Sequence, residues 1–420
     1  MAMVLTNSQK NRVLFILTLV NFVNYIDRII VFALFAPIKA EFGLSYGQLG
    51  LLGTVFNLIH SPANVVLGHM ADRTSPRRVM TFGVLFWSAA TFLSGLAGSF
   101  RQLLFARALV GVGEAAYAPA GTAVLTAVFP REARARAQGV FNTGMFLGGA
   151  VGLALGGILA ESVGWRSAFF IVGVPGLLLA ASLRRMPEAA PVPGARFVPI
   201  QRLLRVPAYV MMLVSGWFAT FAAQSYLTWG TEFVHRYKNF GLREAGVSLG
   251  ATVVVGGVLG VLVGAWLADG LAKRLPWGRV LVVAVGVLVA APWIFGALRT
   301  TSKPMFVALF FAGSFFMSWY HGPVIAIIHD LIPQRAHATA VGISYFLINF
   351  SAPTLAPWIV GRIADAHSLM VGMQVAIGAQ VLGGLLYFVV IHFIRRDGME
   401  HPALQEFRGA NLEAAVDCGS

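Results

Sequence analysis

The segment "VLFILTLVNFVNYIDRIIVFALFAPI" (13–38) is long and apolar enough to cross a bilayer, yet it contains Asn21, Asn24, Asp27 and Arg28. A membrane helix needs about 20 mostly apolar residues, and a charge near its centre costs at least about 2.5 kcal/mol. No small-residue cleavage site follows the segment, so it is not a signal peptide. It predicts a retained membrane helix whose charges face the protein interior and have a partner or a function.

The composition extends this interpretation to the whole chain. Of 420 residues, 57% are hydrophobic and only 11% are charged, with 46 glycines and a mean hydropathy of +0.75. Such a chain is too apolar for a soluble protein and indicates a membrane protein with many spans. Twelve windows can be marked as spans: 13–35, 48–70, 79–99, 103–129, 137–161, 166–184, 207–234, 244–272, 279–299, 304–333, 337–362 and 369–394.

The positive residues predict the orientation of these spans. Most of the 31 Lys and Arg residues lie at the N-terminus, in the even-to-odd loops and in the C-terminal tail. The positive-inside rule then places both termini in the cytoplasm, and the expected location is the cell's inner (plasma) membrane. Anionic lipids account for the net charge of +14, so a nucleic-acid partner is not expected. The single Cys418 excludes a disulfide framework and a thiolate metal cluster, and no metal or cofactor is predicted.

The two halves of the chain repeat. "FPREARARAQGV" (129–140) and "IPQRAHATAVGI" (332–343) share Pro, Ala and Gly at matching positions. Such repeats imply a duplicated six-helix unit with a site between the halves, as in many secondary transporters. The predicted domains are a bundle at 1–185, a cytoplasmic linker at 186–206, a bundle at 207–395 and a tail at 396–420.

"GHMADR" (68–73), followed by Arg77 and Arg78, resembles the signature loop of the major facilitator superfamily, with Ser75 and Pro76 as departures from that pattern. "GWRSAFF" (164–170) and the glycine series 144, 148, 152, 156 and 157 in span five add to the likeness. We interpret this series as a packing motif, because small residues at about four-residue spacing let helices approach closely. The resemblance implies an all-α membrane fold of twelve helices in two pseudo-symmetric six-helix bundles. It also implies cytoplasmic gating residues, which would be Asp72, Arg73, Arg77, Arg78 and, in the repeated "GAWLADG" (264–270), Asp269.

"NYIDR" (24–28) together with "RALVGVGEAAYAPA" (107–120) is similar to the spinster family. That resemblance implies export of lysophospholipids or sphingoid phosphates. The anion:cation symporter branch carries a related pair of motifs and remains an alternative.

Helix geometry relates these charges to each other. Arg107 and Glu114 lie on one helix face about 10 Å apart, whereas Asp27 and Arg28 point about 100° apart. We expect Asp27, Arg107 and Glu114 to surround one cavity, with Arg107 binding an anionic headgroup through its guanidinium fork and Asp27 and Glu114 coupling protons. The alternative is that these charges only hold helices one and four together.

Further polar and aromatic residues within the spans are candidates for substrate contact. An apolar, aromatic wall in the C-terminal half, opposite a charged one, suits an amphipathic ligand. Any single aromatic residue is more often a packing or interface residue. The candidates besides Arg107 are Asn24, Tyr25, Arg28, His60, Gln224, Tyr226, Trp229, Tyr320, His321, Tyr345 and Asn349.

The predicted function is therefore alternating-access transport of an amphipathic anionic lipid, coupled to protons, by a monomer. A sugar-acid symporter, a drug exporter and a non-transporting membrane sensor are the alternatives. The chain has no H-E-x-x-H or paired catalytic Asp motif, so an intramembrane enzyme is not expected.

Overall fold

The computed structural model describes residues 6–184, 186, 200–333 and 336–397, and within them the chain is helical without β-strands. A 3₁₀ turn (Ser318–Tyr320) and a π-helical segment (Tyr345–Ser351) interrupt two of the spans. The α-helices are α1 (Asn7–Ala33), α2 (Phe35–Phe42), α3 (Tyr46–Arg73), α4 (Pro76–Gly95), α5 (Phe100–Ala115), α6 (Tyr117–Val128), α7 (Arg131–Ser162), α8 (Gly164–Leu183), α9 (Ile200–Leu203), α10 (Pro207–Lys238), α11 (Leu242–Ala272), α12 (Gly278–Arg299), α13 (Lys303–Met317), α14 (Pro323–Leu331), α15 (His337–Ser344), α16 (Ala352–Ala366) and α17 (Leu369–Asp397).

Short polar residues set the beginnings of several helices. Their side-chain oxygens accept a hydrogen bond from the backbone N–H three residues later, which satisfies a donor that the helix itself leaves free. The residues that cap helices in this way are Thr6, Ser45, Ser75, Ser99 and Ser302.

Eleven stretches of the described residues are long and apolar enough to cross a membrane. The remaining predicted span, 79–99, corresponds to α4, which is 20 residues long. Its mean hydropathy is lowered by Arg77 and Arg78 in its first turn and, to a smaller extent, by buried polar residues, namely Thr81, Ser88, Thr91 and Ser94. With α4, the predicted all-α membrane fold of twelve spanning helices is confirmed.

The chain forms two compact units. Unit 1 comprises Met1–Pro193, Leu227–Val254 and Pro357–Leu369, and unit 2 comprises the rest. Unit 1 therefore contains α1 to α8 together with the end of α10, the beginning of α11 and the end of α16. The predicted linker at 186–206 lies largely outside the described residues, apart from α9, and the predicted tail at 396–420 does so almost entirely. The boundaries between the two halves of the repeat remain a prediction.

In unit 1, the glycine series of span five lies against α1. A Cβ at Gly144 would lie 2.6 Å from the Thr18 carbonyl oxygen, and one at Gly148 would lie 2.3 Å from that of Phe22. Such distances are too short for any side chain, so the glycines permit direct backbone contact between α1 and α7. The interpretation of this series as a packing motif is confirmed.

In unit 2, Trp319 is held between glycines of two helices. A Cβ at Gly264 would lie 2.6 Å from the Trp319 Cα, and one at Gly286 would lie 2.7 Å from its Cβ. Trp319 is therefore a packing residue of α11 and α12.

Several segments of unit 1 meet at the end opposite the N-terminus of α1, which we call the distal end. There the Asp365 carboxylate accepts hydrogen bonds from the backbone N–H groups of Tyr46 (2.6 Å) and Gly47 (2.8 Å), at the beginning of α3. The Thr231 hydroxyl donates to the Phe32 carbonyl oxygen at 2.7 Å. These bonds connect the end of α16 to the beginning of α3 and the end of α10 to the end of α1.

Asp365 is a good position for testing how firmly the distal end is held. Asp365→Ala removes both acceptors and the negative charge at a helix N-terminus, which typically costs about 0.5–2 kcal/mol. Asp365→Asn keeps one acceptor oxygen. We expect the thermal unfolding temperature of the purified protein to fall most for Asp365→Ala and less for Asp365→Asn. An unchanged unfolding temperature for Asp365→Ala would show that this contact does not stabilise the fold.

Candidate functional site

The candidate site begins at Asp27 in α1. Asp27 is only 1% exposed, and its Oδ2 accepts a 2.5 Å hydrogen bond from the Thr91 hydroxyl of α4. Its other carboxylate oxygen, Oδ1, has no hydrogen-bond partner among the described residues. A buried carboxylate with one unsatisfied oxygen can bind a proton or accept a hydrogen bond from another donor.

The adjacent Arg28 points toward a different helix. Its Nη2 donates to Asn57 Oδ1 in α3 at 3.0 Å, while Asn57 Nδ2 donates to the Gly53 carbonyl oxygen at 3.1 Å. The second bond orients the amide so that its oxygen faces Arg28. The guanidinium also lies 5.7 Å from the ring centroid of Tyr25. The expected divergence of Asp27 and Arg28 is therefore present.

Arg107 and Glu114 extend from α5 and are 1% and 2% exposed. Arg107 Nη2 donates a long, 3.5 Å bond to the Arg28 carbonyl oxygen, while its Nε and Nη1 have no partner within the described ranges. Both oxygens of Glu114 also lack a hydrogen-bond partner there. The Asn24 amide lies close to Glu114, but its Nδ2 does not form a bond of normal geometry with it. We call Asp27, Arg28, Arg107 and Glu114 the charge cluster.

Both arginines of the charge cluster lie close to the ring of Phe56 in α3. The Cζ atoms of Arg28 and Arg107 lie 4.8 and 5.1 Å from its ring centroid. The ring of His60 stacks on Phe56 at 5.3 Å with an interplanar angle of 20°. Cation–π attraction thus offsets part of the cost of placing two cations close together in a buried environment.

The glycines before Glu114 bring α5 close to its neighbours. A Cβ at Gly111 would lie 2.8 Å from the Phe56 carbonyl oxygen, and one at Gly113 would lie 2.5 Å from the backbone nitrogen of Trp87. The run Gly111-Val-Gly113-Glu114 therefore places the glutamate where α5 packs directly on α3 and α4. Helix packing therefore explains the two glycines of this motif, and the charge cluster explains its glutamate.

The net formal charge of the charge cluster is zero when all four groups are ionised, but the four groups do not form two ion pairs. Arg107 lies within electrostatic range of both Asp27 and Glu114. Its free nitrogens and the free Glu114 oxygens are fully buried. Removing such groups from water is costly unless they gain partners. The arrangement can therefore bind an anion at Arg107 and a proton at either carboxylate.

The candidates of the C-terminal half that lie in unit 2 differ in their contacts and in their exposure to solvent. Tyr226 is buried and donates its hydroxyl hydrogen bond to Gln380 Oε1 at 2.7 Å. Gln224 is half-buried, and the Tyr320 and His321 rings lie 5.3 Å apart. Tyr345 and Asn349 are exposed on the π-helical segment. A π-helical segment often marks a functional site, and periodicity in the sequence does not predict it.

Trp229 differs from the expectation that it lines an aromatic wall of the C-terminal half. It belongs to unit 1 and is completely buried. Its ring packs at 5.4 Å from Phe35 and 5.8 Å from Tyr46, at the distal end. This residue stabilises the contact between α10 and the first helices.

The candidate gating residues of the first half lie at the end of α3 and the beginning of α4. The backbone of Asp72 belongs to α3, but its side chain lies outside the described part of the structure. Arg73 and Arg78 are exposed, and Arg77 Nη1 donates to the Met186 carbonyl oxygen at 3.1 Å. The expected charge lock at Asp72 thus remains a prediction.

In unit 2, the corresponding candidate Asp269 is part of an ion-pair group. Arg279 Nη2 lies 3.0 Å from Asp269 Oδ1, and Arg279 Nη1 lies 2.6 Å from Asp330 Oδ2. Arg279 links α11, α12 and α14, a role that we did not predict for it because it stands at the edge of an apolar span.

Three further residues of the site were missed in the sequence. Asn57 and Thr91 are polar residues within spans and could have been found by asking which side chains would satisfy Arg28 and Asp27. Phe56 has no such signal, because one phenylalanine in an apolar helix looks like any other.

Curated relatives cover most of this chain. An "MFS-type efflux pump" of Mycolicibacterium smegmatis is 30% identical over 92% of this chain and 93% of its own. The "Sphingosine-1-phosphate transporter SPNS2" of Xenopus tropicalis is 26% identical over 91% and 82%. The "Probable L-galactonate transporter" of Escherichia coli strain K12 is 26% identical over 88% and 86%.

A solved structure shares the fold. It is a crystal structure of a bacterial homolog to the human lysosomal transporter spinster, inward-facing and unoccupied, with a TM-score of 0.84 and 23% identity over 93% of this chain and 98% of that one. The family model of the Major Facilitator Superfamily matches residues 17–357. The chain therefore belongs to the major facilitator superfamily, and it resembles the spinster proteins within it.

Proposed function

We propose that this transporter moves an amphipathic anionic lipid, a lysophospholipid or a sphingoid phosphate, by proton-coupled alternating access. The observation that carries the proposal is the buried Arg107 with two free guanidinium nitrogens beside the unpaired carboxylate of Glu114. A phosphate fits the planar fork of a guanidinium and forms charge-assisted hydrogen bonds with it.

Arg107 is the headgroup anchor in this proposal, and Arg28 has a supporting role. Arg28 already donates to Asn57, whereas Nε and Nη1 of Arg107 remain free to donate. Phe56 holds both guanidiniums near one ring, so a phosphate at Arg107 also experiences the charge of Arg28. Of the remaining substrate candidates, Asn24, Tyr25 and His60 lie around this anchor, and the others lie in unit 2, except Trp229 at the distal end.

Proton coupling follows from competition within the charge cluster. A phosphate bound to Arg107 removes from Glu114 part of the positive potential that favours its ionised form. Glu114 then binds a proton, which also relieves repulsion between the carboxylate and the phosphate. Asp27 shares the same arginine and is the second proton site. Substrate and proton thus change their binding together, as alternating access with coupling requires.

The comparisons favour a lipid but also support a second candidate. The named function of one relative is sphingosine-1-phosphate transport, and the spinster-like fold covers nearly the whole chain. The L-galactonate relative supports a sugar-acid symporter, which would use Arg107 for a carboxylate. Native mass spectrometry for a co-purifying lipid, followed by flux of that lipid into proteoliposomes, separates these functions from each other and from a non-transporting sensor.

The orientation belongs to the same proposal. Both termini lie in the cytoplasm, the distal end of unit 1 faces outward, and the protein works as a monomer in the inner membrane. The basic residues near the end of α3 and the ion-pair group of Asp269, Arg279 and Asp330 then lie on the cytoplasmic side, where they gate access.

We expect Arg107→Lys to bind the lipid at least about tenfold more weakly, because lysine keeps the charge but loses the fork geometry. Arg101→Lys is the matched control, since Arg101 is an exposed residue of the same helix. Dissociation constants of the purified proteins, measured by ligand-induced fluorescence change, provide the comparison. Equal affinity of Arg107→Lys and the wild type would exclude Arg107 as the anchor.

We expect Glu114→Gln and Asp27→Asn to bind the lipid but to lose the stimulation of flux by a pH gradient, because both imitate a permanently protonated carboxyl. Glu41→Gln is the control. Hydrogen bonds from Arg166 and Trp165 keep the pKa of Glu41 below its usual value, so that side chain stays ionised at neutral pH. The measurement is flux into proteoliposomes with and without an imposed gradient. A full response in both site variants would contradict proton coupling by these residues.

A further inference from the structure

A second group of charged residues surrounds an open pocket of about 570 Å³ at the distal end of unit 1. One wall is α2 and the turn after it, and the other is the last turns of α10. We call it the distal pocket, and the lining residues that matter are Lys39, Gly43, Leu44, Glu232, His235 and Arg236. None of them belongs to the charge cluster.

Both basic residues of the distal pocket are held by the same aromatic ring. Lys39 Nζ lies 4.6 Å and Arg236 Cζ 5.5 Å from the ring centroid of Tyr46. The ring itself packs on Trp229. Cation–π attraction therefore places an ammonium from α2 and a guanidinium from α10 near each other, although their charges repel.

Glu232 supplies the opposite charge from a buried position. It is 5% exposed, it lines the pocket, and its Oε2 has no hydrogen-bond partner among the residues that the structure describes. The charged or titratable groups within electrostatic range of it are Lys39, His235, Arg236 and the Tyr46 hydroxyl. His235 uses Nδ1 in a 2.7 Å contact with the Phe240 carbonyl oxygen. A buried carboxylate oxygen without a donor needs one from a ligand.

We propose that the distal pocket is a binding site for a zwitterion that carries a primary ammonium and a phosphate, such as the phosphoethanolamine group. The ammonium donates to Glu232 Oε2, and the phosphate lies against Lys39 and Arg236. A simple anion would meet the buried carboxylate, and a simple cation would meet the two basic residues. Only a ligand with both charges satisfies the three side chains together.

Binding at this site would link two parts of unit 1. Lys39 belongs to α2, whereas Glu232 and Arg236 belong to α10, and the Thr231 hydroxyl already joins α10 to the Phe32 carbonyl oxygen. A bound zwitterion adds contacts between α10 and α2 and so stabilises the packing of the distal end. The inference does not depend on which substrate the charge cluster binds.

The test compares phosphatidylethanolamine with phosphatidylcholine of the same short acyl chains, by native mass spectrometry of the purified protein. A primary ammonium donates hydrogen bonds, whereas trimethylammonium has no N–H. Because a hydrogen bond to a charged group contributes about 1.5–3 kcal/mol, we expect the wild type to prefer phosphatidylethanolamine about tenfold or more. Glu232→Gln should lose this preference.

Two further variants make the result specific. Lys39→Met should weaken the binding of both lipids and keep the preference, because it removes a phosphate contact and leaves Glu232 in place. Glu41→Gln, on the same helix but outside the pocket, should behave as the wild type. Arg107→Lys should also keep the preference, so that failure of the proposed substrate site does not affect this test.

Soluble glycerophosphoethanolamine and glycerophosphocholine identify the source of the ligand. If the protein prefers glycerophosphoethanolamine over glycerophosphocholine as it does for the lipids, the site accepts a free solute as well as a lipid. If the protein shows the preference only between the two lipids, the site is one for membrane lipid. The proposal is overturned if the wild type has no preference, if Glu232→Gln keeps it, if Lys39→Met leaves both affinities unchanged, or if Arg107→Lys abolishes it.

Discussion

The cost of burying charge inside an apolar bundle is the constraint on which this protein's site depends. Asp27, Arg107 and Glu114 are almost completely shielded from solvent, and burial of an isolated ion is strongly unfavourable. Thr91 and the Phe56 ring offset part of that cost. Within the described part of the chain, both Glu114 oxygens and two Arg107 nitrogens remain without a hydrogen-bond partner. In the proposed function, an anion and a proton complete this network, so that burial becomes a basis for coupled transport.

Much of the fold could be predicted from local properties of the sequence. Hydropathy located the spans, because a membrane helix requires a long apolar stretch. The glycine series predicted close packing, and α7 uses it against α1. Hydropathy gave its weakest indication of a span at α4, whose Ser88, Thr91 and Ser94 are polar but buried. The π-helical segment depends on tertiary packing, so no local pattern indicated it.

The site shows the same division between local and long-range information. Helix geometry predicted that Asp27 and Arg28 diverge, and the two residues do contact different helices. It could not predict that Phe56 contacts two guanidiniums, because those contacts join α1, α3 and α5. Trp229 was misjudged for a related reason. It stands in the predicted C-terminal bundle, but its contacts with Phe35 and Tyr46 place it in unit 1.

The central claim is that an anionic substrate and Glu114 compete for Arg107, so that binding the substrate also binds a proton. Isothermal titration calorimetry in two buffers of different ionisation enthalpy measures the number of protons taken up on binding. The account predicts an uptake of up to one proton for the wild type at neutral pH and a clearly smaller value for Glu114→Gln, with Glu41→Gln equal to the wild type. The same uptake in the wild type and Glu114→Gln would contradict it.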